Sequence, residues 1–403
     1  MPTIAVLGTY DTKGDELEFV ARKIFDSGMS VLRVDVGTGG PPSVTPDIPR
    51  EQVAGTIDAD LQTIAGDRGR CVEAMGRAAA KLLSELVDAG RIDGVISLGG
   101  GGGTSIATTA MRALPIGFPK LMVSTMASGD TSVYIGTKDI VMMPSVVDVA
   151  GLNRISQVIF SRAAGAICGM VAADVETRSA KPIIVASMFG NTTRCIESAR
   201  PILESAGYEV LIFHATGTGG RAMEDLIASG MVAGVLDLTT TELADELLGG
   251  ILSAGPNRLS AAAVAGIPTV IAPGCLDMAN FGARDTLPER YEGRVIYQHN
   301  PTATLVRTNV EECRALGTRL AQQADRYTGP VTIVIPTRAI SVISAAGQAF
   351  HDVDADQALF DAIEGSSKPV IRIDAEINDE SFAVAAANEL LRLLSLGSAE
   401  RFT

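Results

Sequence analysis

Five consecutive glycines, Gly99, Gly100, Gly101, Gly102 and Gly103, are the clearest candidates for ligand chemistry in this chain. They follow a short apolar run, Gly94–Leu98, and precede residues whose apolar members recur at helical spacing. A strand, a glycine turn and a helix in that order present backbone N–H groups at the positive end of the helix, where an anion can approach the main chain closely. The pattern predicts phosphate binding; the alternative is a glycine loop that only turns the chain.

Two familiar phosphate-binding fingerprints do not fit this glycine run. A P-loop would need a lysine and a serine or threonine after its last glycine, and no lysine follows here. The dinucleotide pattern would begin at Gly99 and Gly101, but its third glycine position holds Thr104. The run therefore indicates phosphate-type binding without naming a nucleotide.

Two further loops carry residues suited to the same ligand. One follows the apolar strand Ile4–Gly8, and the other follows the strand Lys120–Ser124. Ligands of doubly wound sheets bind at the carboxyl ends of strands, so we expect these loops to face one crevice. The predicted binding residues are Gly8, Thr9, Asp11, Thr12, Lys13, Asp35, the five glycines, Thr104, Ser124, Thr125, Ser128 and Gly129.

The charged members of this set have distinct expected roles. Lys13 offers a point charge to a phosphate, and Asp35, at the end of the second strand, stands where an acidic residue often takes a ribose hydroxyl. Asp11 or Asp130 could hold the Mg²⁺ that accompanies a nucleotide. The alternative for both is that they cap a helix or a turn.

The second half of the chain offers candidates for catalysis rather than for phosphate binding. His214 follows an apolar strand and suits general acid–base chemistry, while Arg221 could grip a carboxylate or phosphate. Glu242 is the predicted catalytic acid; Glu224, Asp237 and Asp277 are further candidate acids. The alternative for His214 is a buried, hydrogen-bonded histidine. No Ser-His-Asp set can be assembled, and the Gly-x-Ser-x-Gly motif does not occur.

Strands that alternate with helices predict a parallel, doubly wound sheet in each half of the chain. In the first half we expect the flavodoxin-like order, with strand one beside strand three, because both glycine-bearing loops must then face one ligand. A long stretch from about Gly40 to Gly69, rich in Pro, Asp and Gly, is expected to be an irregular loop that serves as a lid or a partner surface. A polar linker, Asp174–Pro182, separates domains at 1–178 and 179–403.

The two halves resemble each other in sequence. VGTGG ends the first strand–helix–strand unit and TGTGG ends the second, and DGVISL at Asp93–Leu98 pairs with AGVLDL at Ala233–Leu238. We interpret this as two tandem Rossmann-like α/β units; the alternative to a duplication is that such units recur widely. Where the first unit has glycines, the second has Thr239–Glu242, so the halves are expected to bind different ligands. The second unit is also expected to contain a helix over Arg258–Ala265 and a long loop over Pro273–Gly282.

Composition bounds the compartment and the partners. The chain has 403 residues, a formal net charge of −14, no Trp and 4% aromatic residues, which disfavour nucleic acid and anionic membranes as partners. Five scattered cysteines without a Cys-x-x-Cys motif favour a reducing cytoplasm. The three histidines have no metal-ligand spacing, the N-terminus shows no signal peptide, and no apolar run approaches the ~20 residues needed to cross a bilayer. We expect a cytoplasmic protein, and the 46% hydrophobic content favours a homo-oligomer.

Five motifs in order resemble one known family: GTYDTKGDE from Gly8, SLGGGGGTS from Ser97, STMASGDT from Ser124, HATGTGGRAMEDL from His214 and LDMANFG from Leu276. The chain is similar to largely uncharacterised proteins related to the N-terminal region of the tomato mosaic virus resistance protein. The resemblance implies two Rossmann-like domains, with ATP bound in the first at Gly8–Lys13, Gly99–Thr104 and Ser124–Gly129. The plant protein's further C-terminal barrel has no counterpart before Thr403, so its antiviral role is not expected here.

Three functions remain open. The first is an ATP-dependent enzyme acting on a small carboxylate or sugar acid at the interdomain cleft. The second is a non-catalytic nucleotide-binding module whose Gly40–Gly69 loop contacts a protein partner. The third is an isomerase or lyase in which the phosphate belongs to the metabolite, and it predicts weak binding of ATP. The expected partners are therefore a nucleotide and a small anionic metabolite.

Overall fold

The computed structural model describes residues 1–57, 67–174 and 181–399. The chain separates into two compact units, Met1–Thr177 and Arg178–Thr403. The predicted boundary between residues 178 and 179 and the middle of the predicted linker lie outside the described residues. Each unit is an α/β fold, and each is described by itself below.

The first unit is built on a five-stranded parallel sheet in the order β2-β1-β3-β4-β5. This confirms both the predicted doubly wound fold and the flavodoxin-like order, with β1 between β2 and β3. All five strands run the same way, so the loops after β1, β3 and β4 leave the same edge of the sheet. The strands are β1 (Thr3–Gly8), β2 (Ser30–Asp35), β3 (Gly94–Gly99), β4 (Lys120–Ser124) and β5 (Val141–Pro144).

Helices cover both faces of this sheet, because its strands are apolar on both sides. One core lies under α2, α3 and α4, and the other lies under α1 and α6. The described helices are α1 (Tyr10–Asp26), α2 (Arg50–Gly55), α3 (Arg68–Asp88), α4 (Gly101–Arg112), α5 (Ser132–Ile135) and α6 (Arg154–Ala172).

Two sequence-based expectations about loops in this unit were wrong. Helix α1 begins at Tyr10, inside the loop expected after the strand Ile4–Gly8, because Asp35 accepts a hydrogen bond from the Tyr10 N–H at 3.1 Å and fixes the first turn, which then kinks at Lys13. The stretch expected to be irregular from Gly40 to Gly69 contains helix α2, and α3 already begins at Arg68. Residues 58–66 of that stretch lie outside the described residues.

Helix α6 is the one described helix that is long and apolar enough to cross a membrane by length and composition alone, which the search for apolar runs missed. It packs on the first sheet, where Phe160, Ala163 and Ile167 are buried in the core with α1. These buried residues of α6 belong to the core of the unit, whereas Ile155 and Val158 on the same helix are exposed.

The second unit repeats the design with a six-stranded parallel sheet in the order β14-β13-β9-β8-β6-β7. Its first strand, β6, lies between its second and third, as β1 does in the first unit. The strands of this sheet are β6 (Ile183–Met188), β7 (Glu209–His214), β8 (Val232–Thr239), β9 (Thr269–Gly274), β13 (Val331–Pro336) and β14 (Val370–Ile373). The helices are α7 (Thr193–Ser205), α8 (Thr218–Ala228), α9 (Glu242–Leu248), α10 (Ala261–Ala265), α11 (Val310–Asp325), α12 (Val353–Ile363) and α13 (Glu380–Ala399).

A small antiparallel sheet in this unit was not predicted. It has the order β10-β12-β11, formed by Met278–Phe281, Ala303–Arg307 and Ile296–Asn300. The expected loop over Pro273–Gly282 therefore contains a buried strand, because β10 pairs with β12 about 25 residues later in the chain. The helix expected over Arg258–Ala265 begins only at Ala261, because Arg258 is held in a buried ion-pair cluster.

Candidate functional site

The first unit has a cavity of about 490 Å³ where β1 and β3 end. The carboxyl ends of adjacent parallel strands whose connections leave to opposite faces are the usual ligand position in this class of sheet. Nine of the predicted binding residues line it: Thr9, Asp11, Thr12, Lys13, Gly99, Gly100, Gly101, Gly102 and Gly103. The structure therefore brings two of the three predicted loops to one cavity.

The glycines from Gly100 to Gly103 are not required by the fold. None of them has a positive φ, so an L residue could adopt each backbone conformation. A Cβ at Gly101 would meet nothing within 4 Å, and at Gly100, Gly102 and Gly103 its nearest neighbours would lie at 3.7–3.8 Å, an ordinary contact distance. Their lack of side chains keeps the cavity open and the main chain accessible.

The first amides of α4 are available to a ligand. Helix α4 has Gly100 as its N-cap, with no side-chain acceptor there. Among the described residues, no carbonyl or side chain accepts a hydrogen bond from the N–H of Gly101, Gly102 or Gly103. Three unengaged donors at the positive end of a 12-residue helix are the arrangement that suits an oxyanion.

Two cations flank these amides. Lys13 lines the cavity from the kinked start of α1, and Arg68 lines it from the first turn of α3. The Arg68 guanidinium is close to the glycines: a Cβ placed on Gly102 would lie 3.7 Å from its Nη2. Within the described parts of the chain, neither cation forms an ion pair with a carboxylate. Both charges are therefore available to a bound anion.

Asp11 is the buried acid of the cavity. Its side chain is 4% exposed, and Oδ2 accepts a hydrogen bond from the Gly39 N–H at 2.7 Å. Arg50 lies 4.0 Å from Oδ2 and donates to the Gly39 carbonyl at 3.0 Å, which fixes the loop against Asp11. The other oxygen, Oδ1, is buried without a hydrogen-bond partner in the described structure. A buried orphaned carboxylate oxygen at a cavity wall is suited to a donor or a cation that arrives with a ligand.

Other predicted binding residues do not line the cavity, and they have partners within the fold. Asp35 is buried and accepts from the Tyr10 and Gly37 N–H groups, and burial raises the pKa of its carboxyl above the usual value. The Thr104 and Ser124 hydroxyls bond each other at 2.6 Å. Asp130 accepts from the Ser132 N–H, which is the capping alternative. The remaining residues that do not line the cavity are Gly8, Thr125, Ser128 and Gly129.

Sequence reasoning missed part of the cavity wall. Arg68, Cys71 and Val72 come from the start of α3, which follows residues that show no motif. The VGTGG segment includes Thr38 and Gly39 and was interpreted only as part of a repeat. Its position directly after β2 is the signal that could have placed it at the cavity. Ile106 and Asp148 complete the wall.

In the second unit, the equivalent strand ends are filled by the protein's own side chains. The predicted catalytic residue Glu242 is buried, and its Oε1 accepts hydrogen bonds from the Gly217 and Gly220 N–H groups at 2.6 and 3.1 Å. A Cβ on Gly219 would collide with the His214 carbonyl, and one on Gly220 would collide with the Glu242 carboxylate. These glycines therefore serve the fold, and Glu242 occupies the start of α8 where an external anion would bind.

Arg258 holds the other candidate acids of this unit. Its fully buried guanidinium pairs with Asp237 at 2.5 Å, Glu242 at 2.7 Å and Glu224 at 3.3 Å. Burial raises the pKa of the Glu224 carboxyl, with Arg258 opposing that effect. Three carboxylates paired with one fully buried arginine form a structural cluster.

Among the described residues, no hydrogen bond or ion pair joins the side chains of the predicted catalytic residues His214, Arg221 and Glu242. His214 is exposed, with its ring centroid 5.9 Å from that of Phe189. Arg221 is exposed and donates to the Ser253 carbonyl at 2.9 Å. Asp277, a further candidate acid, is buried: its Oδ2 accepts from the Ser341 hydroxyl at 2.7 Å, and burial raises its pKa to about 6.

Comparisons with known proteins identify relatives of both units. Family models described as the N-terminal and C-terminal domains of the uncharacterised protein family UPF0261 match residues 2–176 and 181–394. A UPF0261 protein of Clostridium tetani is 46% identical over 398 residues, covering 97% of this chain and 98% of its own length. The ToMV resistance protein Tm-1(GCR237) of Solanum lycopersicum is 36% identical over 420 residues, covering 97% of this chain but 56% of its own length.

A likeness among solved structures is weaker. A UDP-N-acetylglucosamine 2-epimerase from Rickettsia bellii aligns at 11% identity over 67% of this chain and 78% of that one. Its TM-score of 0.23 is too low to support an argument about fold or function.

Proposed function

The chain belongs to the uncharacterised protein family UPF0261, and we propose that its first unit binds ATP in the cavity at the ends of β1 and β3. The observation that carries the proposal is the run of Gly101, Gly102 and Gly103 amides, which have no acceptor among the described residues and border the cavity. The fold itself has room for side chains there, so a ligand explains the glycines better than the fold does.

The charges and the shape of the cavity support a nucleoside polyphosphate. Lys13 and Arg68 add two positive charges beside the amides. Val72 and Ile106 give the same cavity an apolar wall suited to a base, and its volume is within the usual range for small-molecule sites. The motifs that carry the family resemblance include both cavity loops. That resemblance implies ATP, which is why we propose ATP rather than another nucleotide.

Asp11 is the residue best suited to Mg²⁺ bound with ATP. Among the described residues, no group of three or more His, Cys, Asp or Glu side chains could hold a metal ion. Mg²⁺ is commonly held by one or two carboxylates together with substrate phosphates and water, so a single Asp11 oxygen is sufficient. The ion would neutralise phosphate charge beside that carboxylate.

Isothermal titration calorimetry with ATP, in Mg²⁺ and in EDTA, tests the proposal. Gly101→Val should abolish binding because its side chain fills the cavity, while Lys13→Gln and Arg68→Gln should each weaken binding about ten-fold or more. Arg22→Gln, an exposed arginine of α1, is the matched control and should bind ATP as the parent protein does. Equal ATP affinity in Gly101→Val and the parent protein would refute the site.

Two further measurements separate the three functions left open by the sequence. A phosphate-release assay on the ATP-bound protein, with and without small sugar acids, distinguishes an ATP-dependent enzyme from a binding module. Titration with glucose 6-phosphate is the third arm. Tight binding of that ester with no measurable binding of ATP would replace this proposal with a site for a phosphorylated metabolite.

A further inference from the structure

A surface trough follows one face of α11 in the second unit. Its cavity is about 810 Å³, and a neighbouring cavity of about 440 Å³ shares Leu247, Glu311 and Ala315 with it. Helix α11 has 16 residues and is therefore about 24 Å long. The trough thus fits an elongated ligand better than a compact one.

Three arginines line this trough, which we call the arginine trough: Arg314, Arg319 and Arg326. In the described part of the chain, none of the three lies within 4.0 Å of a carboxylate. Arg326 donates to the Gln323 side chain, and the one acidic residue that lines the trough among those described is Glu311. The face is therefore locally positive on a chain whose net charge is −14.

The arginines of the neighbouring cavity serve the fold instead. Arg294 pairs with Glu312 at 2.6 Å, and Arg290 donates to the Leu248 carbonyl at 2.6 Å. The chain has 47 carboxylate residues against 33 Lys and Arg, so acidic partners are abundant. Although acidic partners are abundant, the three arginines of the trough have no described carboxylate partner. They are therefore available to a ligand.

The rest of the wall adds two kinds of contact. Thr318 and Gln322 are exposed on the same helix and can hydrogen-bond to an oxyanion or to a peptide backbone. Leu247, at the edge of the trough, is 43% exposed, and Pro256 lies beside it. The trough therefore combines positive charge, neutral hydrogen-bonding groups and an apolar edge.

We propose that the arginine trough binds an acidic peptide segment of a partner protein. Its carboxylates would pair with Arg314, Arg319 and Arg326, and an apolar side chain would pack on Leu247. Eight extended residues span about 26 Å, which matches the length of α11. The acidic net charge of the whole protein does not prevent an acidic segment from binding here. Salt at physiological strength screens charges beyond about 8 Å, so the nearby arginines dominate the interaction.

A nucleic acid fits the trough less well. No aromatic side chain lines it among the described residues, so stacking of bases would have no platform. A nucleic acid longer than the trough would also extend over the surface of a strongly acidic protein.

Fluorescence anisotropy on the full chain tests this proposal at low and physiological salt. The probes are an eight-residue labelled peptide rich in glutamate with two leucines, the same peptide with glutamine for glutamate, and an eight-nucleotide RNA. The test variant is R314Q/R319Q/R326Q. The control is R22Q/R77Q/R200Q, which removes the same charge from three exposed helical arginines elsewhere.

We expect saturable binding of the glutamate peptide and about ten-fold or greater loss of affinity in the trough variant. The control variant should stay within about two-fold of the parent protein, and Leu247→Ala should weaken binding of the peptide by about three-fold or more. The proposal is overturned if the parent protein shows no saturable binding, if both triple variants lose affinity equally, or if the RNA binds more tightly than the peptide. Thermal melting of each variant checks that these losses do not reflect unfolding.

Discussion

Replacing Gly101 and Gly102 together by alanine should stabilise the protein and weaken its binding of ATP. Both glycines are helical, neither has a positive φ, and a Cβ on either meets no atom closer than 3.7 Å. A glycine-to-alanine change at such a position stabilises by about 0.4–1 kcal/mol, chiefly because it reduces the conformational entropy of the unfolded chain. The double variant should therefore gain about 1–2 kcal/mol.

The gain should appear as a higher melting temperature of the first unit. For a unit of its size, each kcal/mol shifts the midpoint by about 2–4 °C, so the expected rise is about 2–8 °C. Differential scanning calorimetry of the ligand-free protein measures it, with the transitions of the two units analysed separately. Isothermal titration should show a loss of ATP affinity of about ten-fold or more, because the methyl groups keep phosphate oxygens from the main chain.

Gly219→Ala is the matched control for this experiment. Its Cβ would collide with the His214 carbonyl, so the same chemical change should destabilise the second unit by about 1–3 kcal/mol. The reasoning fails if the Gly101 and Gly102 double variant is less stable than the parent protein. It also fails if the variant gains stability but binds ATP unchanged, since the glycines would then have no ligand to serve.

Two further predictions concern buried charges in the second unit. Arg258→Met leaves three carboxylates without their shared cation, so urea denaturation should show a loss of roughly 3–5 kcal/mol, whereas Arg221→Met, at an exposed arginine, should cost under about 1 kcal/mol; similar losses in both would contradict the cluster. Burial raises the pKa of Asp277 to about 6. The stability that its protonated carboxyl contributes is therefore full below its unfolded pKa, and it is lost as the pH rises through about 6 and the buried carboxyl ionises at a cost. Asp277→Asn removes this cost, and the variant should gain about 1–2 kcal/mol relative to the parent protein between pH 5 and pH 7.5; parallel pH profiles would show that Asp277 does not titrate in this range.

The sequence was most informative where chemistry is local. Apolar runs that end in glycine or polar loops located the parallel strands, and the need for two loops to face one ligand predicted the order with β1 beside β3. Strands β10 and β12 were missed because their pairing joins short segments about 25 residues apart. No local pattern marks such antiparallel partners.

Residue roles that depend on distant partners were the least predictable. Glu242 looks in sequence like an acid at a strand end, and only the fold shows that its carboxylate receives the Gly217 N–H and the guanidinium of Arg258. Arg68 could not be placed, because its approach to Gly102 depends on how α3 packs on α4. In both cases the deciding contact joins elements whose separation in the chain carries no information about their distance.

The two units show how one strand order gives an open and a filled site. In each, a glycine-rich GTGG segment follows the second strand and an internal carboxylate accepts its amides: Asp11 from Gly39 in the first unit, Glu242 from Gly217 and Gly220 in the second. In the second unit that carboxylate covers a helix N-terminus and is itself neutralised by Arg258. In the first unit the carboxylate comes from α1 and leaves the start of α4 uncovered, with the cavity beside it. Because Glu242 occupies the start of α8, that helix end cannot also hold an external anion, whereas the first amides of α4 stay open to a nucleotide.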